Sequence, residues 1–128
     1  KIMKKVIFTA KAPAPIGPYN QAIQHKDIVY VSGQIAINPA TGDLEIDTLD
    51  HETHLVMKNL GAVLNAAGMD YTNIVKCSIF LSSMESFGIV NEIYGSYFTD
   101  NFPARETVEV SCLPKHVNVE ISCVAVAN

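Results

Sequence analysis

The residue best equipped for chemistry in this sequence is Arg105, which directly follows Phe102-Pro103-Ala104. Its guanidinium is planar and can give two parallel hydrogen bonds to a carboxylate. An arginine at a strand start also reads as an ordinary surface cation, so the side chain alone leaves both roles open. Glu120 comes next. It falls mid-strand on a polar face, where a carboxylate needs a partner. Exposure to water or an ion pair with another subunit would serve as well as a ligand. A free glutamate has a pKa near ~4.3, and a neighbouring arginine would lower it. Glu120 is therefore better suited to orienting a water than to acting as a strong base. Tyr19 follows a proline-rich stretch, and its hydroxyl can meet a ligand or bond to backbone. Ser32 and Gly33 close a strand. Asn91 lies in a helical stretch, where a polar residue is unremarkable.

Other reactive side chains carry less. His51 and His54 stand three apart near a helix start, with no further ligand close in sequence. They read as a solvated helix end rather than a metal pair. His25 and His116 fall at turns and read as exposed. Cys77, Cys112 and Cys123 are odd in number, far apart, and match no zinc spacing or disulfide framework. Each falls in a strand-like segment and reads as a buried, reduced thiol. No phosphate-binding glycine loop occurs.

The elements that must position these residues follow from periodicity and breakers. Val6-Ile7-Phe8 reads as a short strand. Ala12-Pro13-Ala14-Pro15-Ile16-Gly17-Pro18 contains three prolines without amide donors and cannot be regular structure. Such a stiff loop suits the wall of a site. Strands are expected over Tyr19 to Gln24 and Asp27 to Ser32, with His25-Lys26 at the turn. Val29 and Val31 share one face of the second, and Ile28, Tyr30 and Ser32 the other. Asn38 to Asp43 reads as a turn. A helix is expected from about Asp50 to Ala67, with Val56, Leu60, Val63 and Leu64 on one face and Gly68 as a left-handed stop. Ile74 to Leu81 alternates as a strand. Ser82-Ser83-Met84-Glu85 resembles a capping box opening a second helix, with Phe87, Val90, Tyr94, Tyr97 and Phe98 along one face. Strands from Arg105 to Leu113 and from Val117 to Ala127 complete the chain. Val108, Val110 and Cys112, with Val117, Val119, Ile121 and Cys123, are expected under the helices. Thr107, Glu109, Ser111, Asn118, Glu120 and Ser122 are expected on the other side. The order implies an α+β domain: a mixed sheet of about six strands with two helices packed on one face.

A chain of 128 residues fits a single domain, 1–128. Lys1 and Ile2 precede Met3, which reads as the natural start. The net charge of -4 offers no general attraction to nucleic acid or anionic membranes. No apolar run approaches the ~20 residues of a membrane span, and a cytoplasmic location is expected. Charged residues make up 17% of the chain, below the usual ~25%. Two helices leave the second sheet face without cover from this chain, and the low charge favours covering it with another subunit.

Several short motifs together resemble the RidA (YjgF-type) family of reactive-intermediate deaminases. They are Ala14-Pro15-Ile16-Gly17-Pro18-Tyr19, Ser32-Gly33-Gln34-Ile35, Ala66-Ala67-Gly68 and Val90-Asn91-Glu92-Ile93-Tyr94. Phe102-Pro103-Ala104-Arg105, Leu113-Pro114-Lys115 and Val119-Glu120-Ile121 follow in the family's order. The resemblance implies a chorismate-mutase-like homotrimer with sites at the subunit clefts and no metal or organic cofactor. It also implies hydrolysis of 2-imino acids, tautomers of enamines such as 2-aminoacrylate, to 2-oxo acids and ammonia. Under it, Arg105 holds the substrate carboxylate and Glu120 positions the attacking water. Tyr19 joins them as a catalytic residue, and Ser32, Gly33, Asn91 and Thr107 bind the substrate. Thr107 stands where many members carry a pocket cysteine, which removes any thiol role there, and Ser122 where many carry glutamate. The same pocket would also suit a regulator that binds a small carboxylate without turnover. An endoribonuclease or translation inhibitor, reported for some relatives, fits the acidic composition less well.

Overall fold

The computed structural model describes residues 2–128; Lys1, read above as preceding the natural start, lies outside them. Six strands form one sheet: β1 (Lys5–Ile7), β2 (Ala22–His25), β3 (Ile28–Gln34), β4 (Ile74–Leu81), β5 (Ala104–Glu109) and β6 (Val119–Val126). Helix α1 (Leu49–Ala66) follows β3, and α2 (Phe87–Gly95) links β4 to β5. The spatial order is β1-β2-β3-β6-β4-β5. Only β4 and β5 run parallel, as a strand–helix–strand crossover allows; the other neighbours are antiparallel. The expected mixed α+β sheet with two helices is the observed one.

Helix α1 starts where Thr48, in extended backbone, turns its hydroxyl to the amide of His51. It stops at Gly68, whose φ of 74° puts it in the left-handed region. The amide of Gly68 then reaches the Asn65 carbonyl and that of Met69 reaches Leu64, closing the helix end as the glycine predicts. Val56, Leu60, Val63 and Leu64 are fully buried against Val29, Val31, Ile79, Leu81, Val119 and Ile121. Each large apolar side chain so buried contributes about 1.5–3 kcal/mol.

One charge enters this core. Glu52, in the first turn of α1, is fully buried. Its carboxylate accepts from the Asn118 amide and Asn118 Nδ2, each at 2.7 Å, and from the Val119 amide at 3.3 Å. These bonds tie α1 to the start of β6, two residues before Glu120.

Several expectations are corrected. Strand β5 ends at Glu109, short of Leu113, and its faces are reversed. Arg105 stands opposite Cys77 and Thr107 opposite Ile79, so both look toward the helices, while Val108 lies beside Phe80 on the open face. As an edge strand, β5 is thinly covered, and its alternation is not enforced by a core. Cys112 is exposed beyond β5 rather than buried within a strand. Val117 precedes β6 and joins a smaller cluster with Ile35, Ile37 and Leu113. Ser83 caps a single 3-10 turn, Met84–Ser86, before α2 begins. Tyr97 and Phe98 fall past the end of α2 but still pack on the main core. The first hairpin turns at Lys26-Asp27, leaving His25 half-buried at the end of β2 with its Nδ1 2.8 Å from the Met3 carbonyl.

Gly61 is a demanding position in α1. A Cβ there would stand 2.8 Å from Cζ of Tyr71. That ring is held by its hydroxyl donating to the Met57 carbonyl at 2.7 Å and by packing on Tyr97. Helix propensity alone favours alanine over glycine by up to ~1 kcal/mol. We expect the clash to win. Gly61→Ala should lower the thermal midpoint, with a loss of about 1–3 kcal/mol typical of overpacking; a raised midpoint in thermal melts would refute this.

Candidate functional site: two half-sites on opposite faces of the sheet

The first half-site is an open cavity of about 380 Å³ whose walls include Ile16, Tyr19, Ser32, Gly33, Pro114 and Glu120. Its proline-rich wall is held from within by Gln21, which is 1% exposed. Gln21 Nε2 donates to the carbonyls of Thr9 at 3.0 Å, Ala12 at 3.2 Å and Pro13 at 2.8 Å. Its Oε1 accepts from the Thr9 amide at 2.8 Å. A loop poor in amide donors cannot build its own ladder, and one side-chain amide supplies the cross-links. Tyr19 sits at the loop's end, and its hydroxyl accepts from the Ile16 amide at 3.3 Å. Tyr19 therefore braces the loop and also lines the cavity.

Ser32 and Gly33 lie at an irregularity in the sheet. Val31 faces Cys123 and Gln34 faces Ile121, so two residues of β3 oppose one of β6. The bulge re-aims the strand end. Ser32 Oγ donates to the Asn20 carbonyl at 2.7 Å. Gly33 leaves room for Glu120: a Cβ at position 33 would lie 2.7 Å from the glutamate's Cδ. The close approach of a carboxylate, rather than a positive φ, is what glycine permits here.

Glu120, expected mid-strand, is the second residue of β6, which begins only at Val119, and projects on the open face opposite Phe80. Burial raises its carboxyl pKa above the ordinary value. The expected lowering by a nearby arginine does not occur within the chain, because Arg105 is on the other side of the sheet. Ordinary pairing would have stabilised this charge; here it is half-buried and set against the glycine strand.

The second half-site surrounds Arg105, the sequence's single arginine. Nη1 donates to Asn91 Oδ1 at 2.7 Å. The guanidinium carbon lies 5.1 Å from the Tyr94 ring centre and 5.7 Å from that of Phe87. Two ring faces and one amide oxygen thus hold the fork, while its remaining N–H groups stay available. A cavity of about 450 Å³ opens beside it, bordered by Asn91, Tyr94, Phe102 and Pro103. Beneath, the hydroxyls of Tyr94 and Thr107 are buried without hydrogen-bond partners. Burial pushes the Tyr94 hydroxyl pKa up and that of the Cys77 thiol to about 11.

Sequence reasoning named seven site residues. Tyr19, Ser32, Gly33 and Glu120 come together in the first cavity. Arg105 and Asn91 come together at the second, with Thr107 on the same side of β5. The two groups do not meet within one chain. Gln21, Phe87 and Tyr94 were missed as site elements. Phe87 and Tyr94 were legible only as a helix face. The histidine pair is divided between partners: His51 lies 2.5 Å from Glu45, and His54 lies 2.8 Å from the Tyr97 hydroxyl.

Comparison with known proteins places this geometry. The sequence model of the family described as endoribonuclease L-PSP matches residues 9–127. The mouse protein named 2-iminobutanoate/2-iminopropanoate deaminase is 46% identical over 98% of this chain and 93% of its own length. A crystal structure of a conserved Rid-family protein from Yersinia pestis is 49% identical, with a TM-score of 0.95 covering 98% of this chain and 100% of that one. The structure of E. coli TdcF with bound serine is 35% identical, with a TM-score of 0.93 over 97% of this chain and 99% of that one. The motifs, the six-stranded fold and these matches agree, and the chain belongs to the endoribonuclease L-PSP, or YjgF/RidA, family.

Proposed function

We propose that the protein is a deaminase that hydrolyses 2-imino acids, such as the tautomer of 2-aminoacrylate, to 2-oxo acids and ammonia. The observation that carries this reading is the division of its functional groups. A braced arginine fork stands on one sheet face, and an unneutralised carboxylate beside Gly33 stands on the other. A 2-imino acid needs both: a cation for its carboxylate and an acceptor to aim water at its imine carbon. The complete site then requires two copies, Arg105 and Asn91 from one and Tyr19, Ser32, Gly33 and Glu120 from the next. Mouse, human and rat relatives carry the deaminase name. The relative solved with bound serine holds a molecule with an amine on the carbon next to a carboxylate.

The reaction follows from these groups. The Arg105 fork binds the substrate carboxylate through two parallel N–H donors. The protonated imine is itself the electrophile, so no metal or organic cofactor is called for. Glu120 accepts a hydrogen bond from a water and takes its proton as oxygen bonds to the imine carbon. The resulting amino alcohol collapses: Glu120 returns that proton to the nitrogen, the C–N bond breaks, and the hydroxyl proton passes through Glu120 to the departing ammonia as the carbonyl of the 2-oxo acid forms, so that ammonium leaves. Burial within the chain raises the Glu120 carboxyl pKa, and with Arg105 of the next copy paired to the substrate carboxylate that shift favours Glu120 as the proton acceptor. Thr107, two residues beyond Arg105, takes part in shaping the carboxylate end. The chain's net charge of -4 gives an RNA ligand little to hold. No helix among the described residues is long and apolar enough to cross a membrane, and we read the enzyme as cytoplasmic.

The assembly is a homotrimer in this reading. Tyr30, Val75 and Val108 are exposed apolar residues of the sheet, and no second layer among the described residues covers the open face. Light scattering should give three times the 13.9 kDa chain mass, and a monomer would remove the shared site.

Complementation tests the divided site directly. Arg105→Ala and Glu120→Gln should each lose most imine hydrolysis, the former by at least roughly ten- to a hundred-fold for a lost charge-assisted contact. Subunits of the two variants, unfolded together and refolded as mixed trimers, should recover part of the wild-type rate. Each mixed trimer contains an interface with Arg105 from one copy and Glu120 from another. If mixing restores nothing while both variants still form trimers, the two residues do not act across an interface.

A pH-dependent stability difference should accompany Glu120→Gln. Because burial raises the folded-state pKa of this carboxyl, the folded chain binds its proton more tightly than the unfolded chain. That contribution is fully present below the unfolded value, near ~4.3, and is lost as pH rises through the folded value. At neutral pH the charged side chain is a burden that glutamine lacks. Glu120→Gln should therefore melt higher than wild type at pH 7, and the difference should shrink toward pH 4. Equal or lower melting at pH 7 would show that the charge is compensated in the assembly.

A further inference from the structure

At the rim of the first cavity, where Pro114 is a wall residue, the turn after β5 brings a thiol and an imidazole together. We propose that Cys112, with His116 as its base, is a nucleophilic modification site that takes small disulfides as mixed disulfides. The inference does not depend on the deaminase reading, although Pro114 of this turn also lines the first cavity.

The pairing is built by the backbone. Leu113 is buried and anchors the turn. Pro114 opens a 3-10 turn, and both Lys115 and His116 then adopt left-handed φ values, 55° and 57°. Two successive non-glycine residues in that region are uncommon. The reversal returns the His116 ring to its starting point, with Nδ1 3.2 Å from Cys112 Sγ. The thiol's other polar neighbour among the described residues is the Leu113 carbonyl, at 3.4 Å. Both side chains are open to solvent. A nucleophile and a base within hydrogen-bond reach form the arrangement that activates cysteine. Lys115, exposed beside them and in no ion pair among the described residues, favours a disulfide that carries carboxylates.

The other two cysteines sharpen the assignment. Cys77 and Cys123 face each other across β4 and β6 inside the core. Burial raises both thiol pKa values, that of Cys77 to about 11, which keeps them protonated and inert. Enclosed in the core, neither can serve Cys112 as a resolving thiol. A mixed disulfide there persists until an outside thiol removes it.

The exchange balances without further reactants. His116 Nδ1 takes the thiol proton as Cys112 Sγ attacks one sulfur of the incoming disulfide. The new S–S bond forms, the old one breaks, and the departing thiolate takes the proton from the imidazolium. The incoming disulfide is the oxidant.

The probe is oxidised glutathione, added to the full chain in its native assembly and followed by intact mass and peptide mapping. Wild type should gain one glutathionyl group per chain, on Cys112, and lose it to dithiothreitol. Cys112→Ser should gain none. His116→Asn should react about tenfold more slowly, as expected when the base that takes the thiol proton is lost. Asparagine is chosen because it tolerates the left-handed backbone of this position; His116→Gln provides a second imidazole-free variant. Three results would overturn the proposal: no adduct on wild type, an adduct on Cys77 or Cys123 instead, or wild-type rates in both histidine variants.

Discussion

Along β6, a period of two separates what the protein buries from what it offers. Val119, Ile121, Cys123 and Ala125 are buried beneath the helices, while Glu120, Ser122, Val124 and Val126 look the other way. A slip of one residue would carry Glu120 into the core and expose the apolar set. Both ends of the strand are pinned against it. At the start, the Glu52 carboxylate takes the amides of Asn118 and Val119. At the end, Asn73 Nδ2 donates to the Val126 carbonyl at 3.0 Å. The buried charge of Glu52 is thus compensated by three donors that fix register. Removing its carboxylate would leave those donors unpaired in the interior, where each costs about 1–3 kcal/mol.

That alternation also explains why one chain cannot bring its arginine to its glutamate. Glu120 is aligned with Phe80 of β4, and Arg105 with Cys77 three residues earlier. Positions 77 and 80 have opposite parity on β4, so the two functional side chains leave the sheet on opposite sides. No rotamer change crosses a sheet. Either the groups serve different purposes or a second copy supplies the missing one. Glu120, half-buried and without a counter-charge among the described residues, fits the second, which is the reading proposed above. Under the proposed shared site, each subunit would hold its carboxylate ready at some cost in stability, a common price of function.

How much of this was legible in the sequence depended on how strongly burial enforced the pattern. Helix α1 and strand β4 were read to within a residue, because the core constrains every turn of one and every second residue of the other. Gly68 marked a helix end because only its backbone freedom suits the left-handed stop. The faces of β5 were read backwards. Its apolar Val108 lies exposed on the open side, while Arg105 and Thr107 fill the helix side under thin cover. Alternation told which residues share a face but not which face is inward. Gln21 was invisible for a different reason. Its role comes from carbonyls of a loop twelve to eight residues earlier, and nothing local to a strand glutamine signals them. Cys112 was misread because a strand pattern was extended past the point where β5 leaves the sheet.

The two half-sites share a strategy despite lying on opposite faces. In each, a flexible or awkward group is fixed before any ligand arrives. Gln21 and Tyr19 brace the proline loop, and the absent side chain of Gly33 fixes where the Glu120 carboxylate can lie. Asn91 and the rings of Tyr94 and Phe87 fix the plane of the Arg105 fork. An arginine side chain that must be ordered on binding would lose part of its contact energy to rotamer entropy. Here that ordering is done during folding, by residues of α2 that arrive through the same crossover that delivers β5. The short β4–α2–β5 connection therefore does more than link parallel strands. It carries the clamp and the arginine together, so that closing this one unit orients the fork toward whatever lies beyond the edge of the sheet.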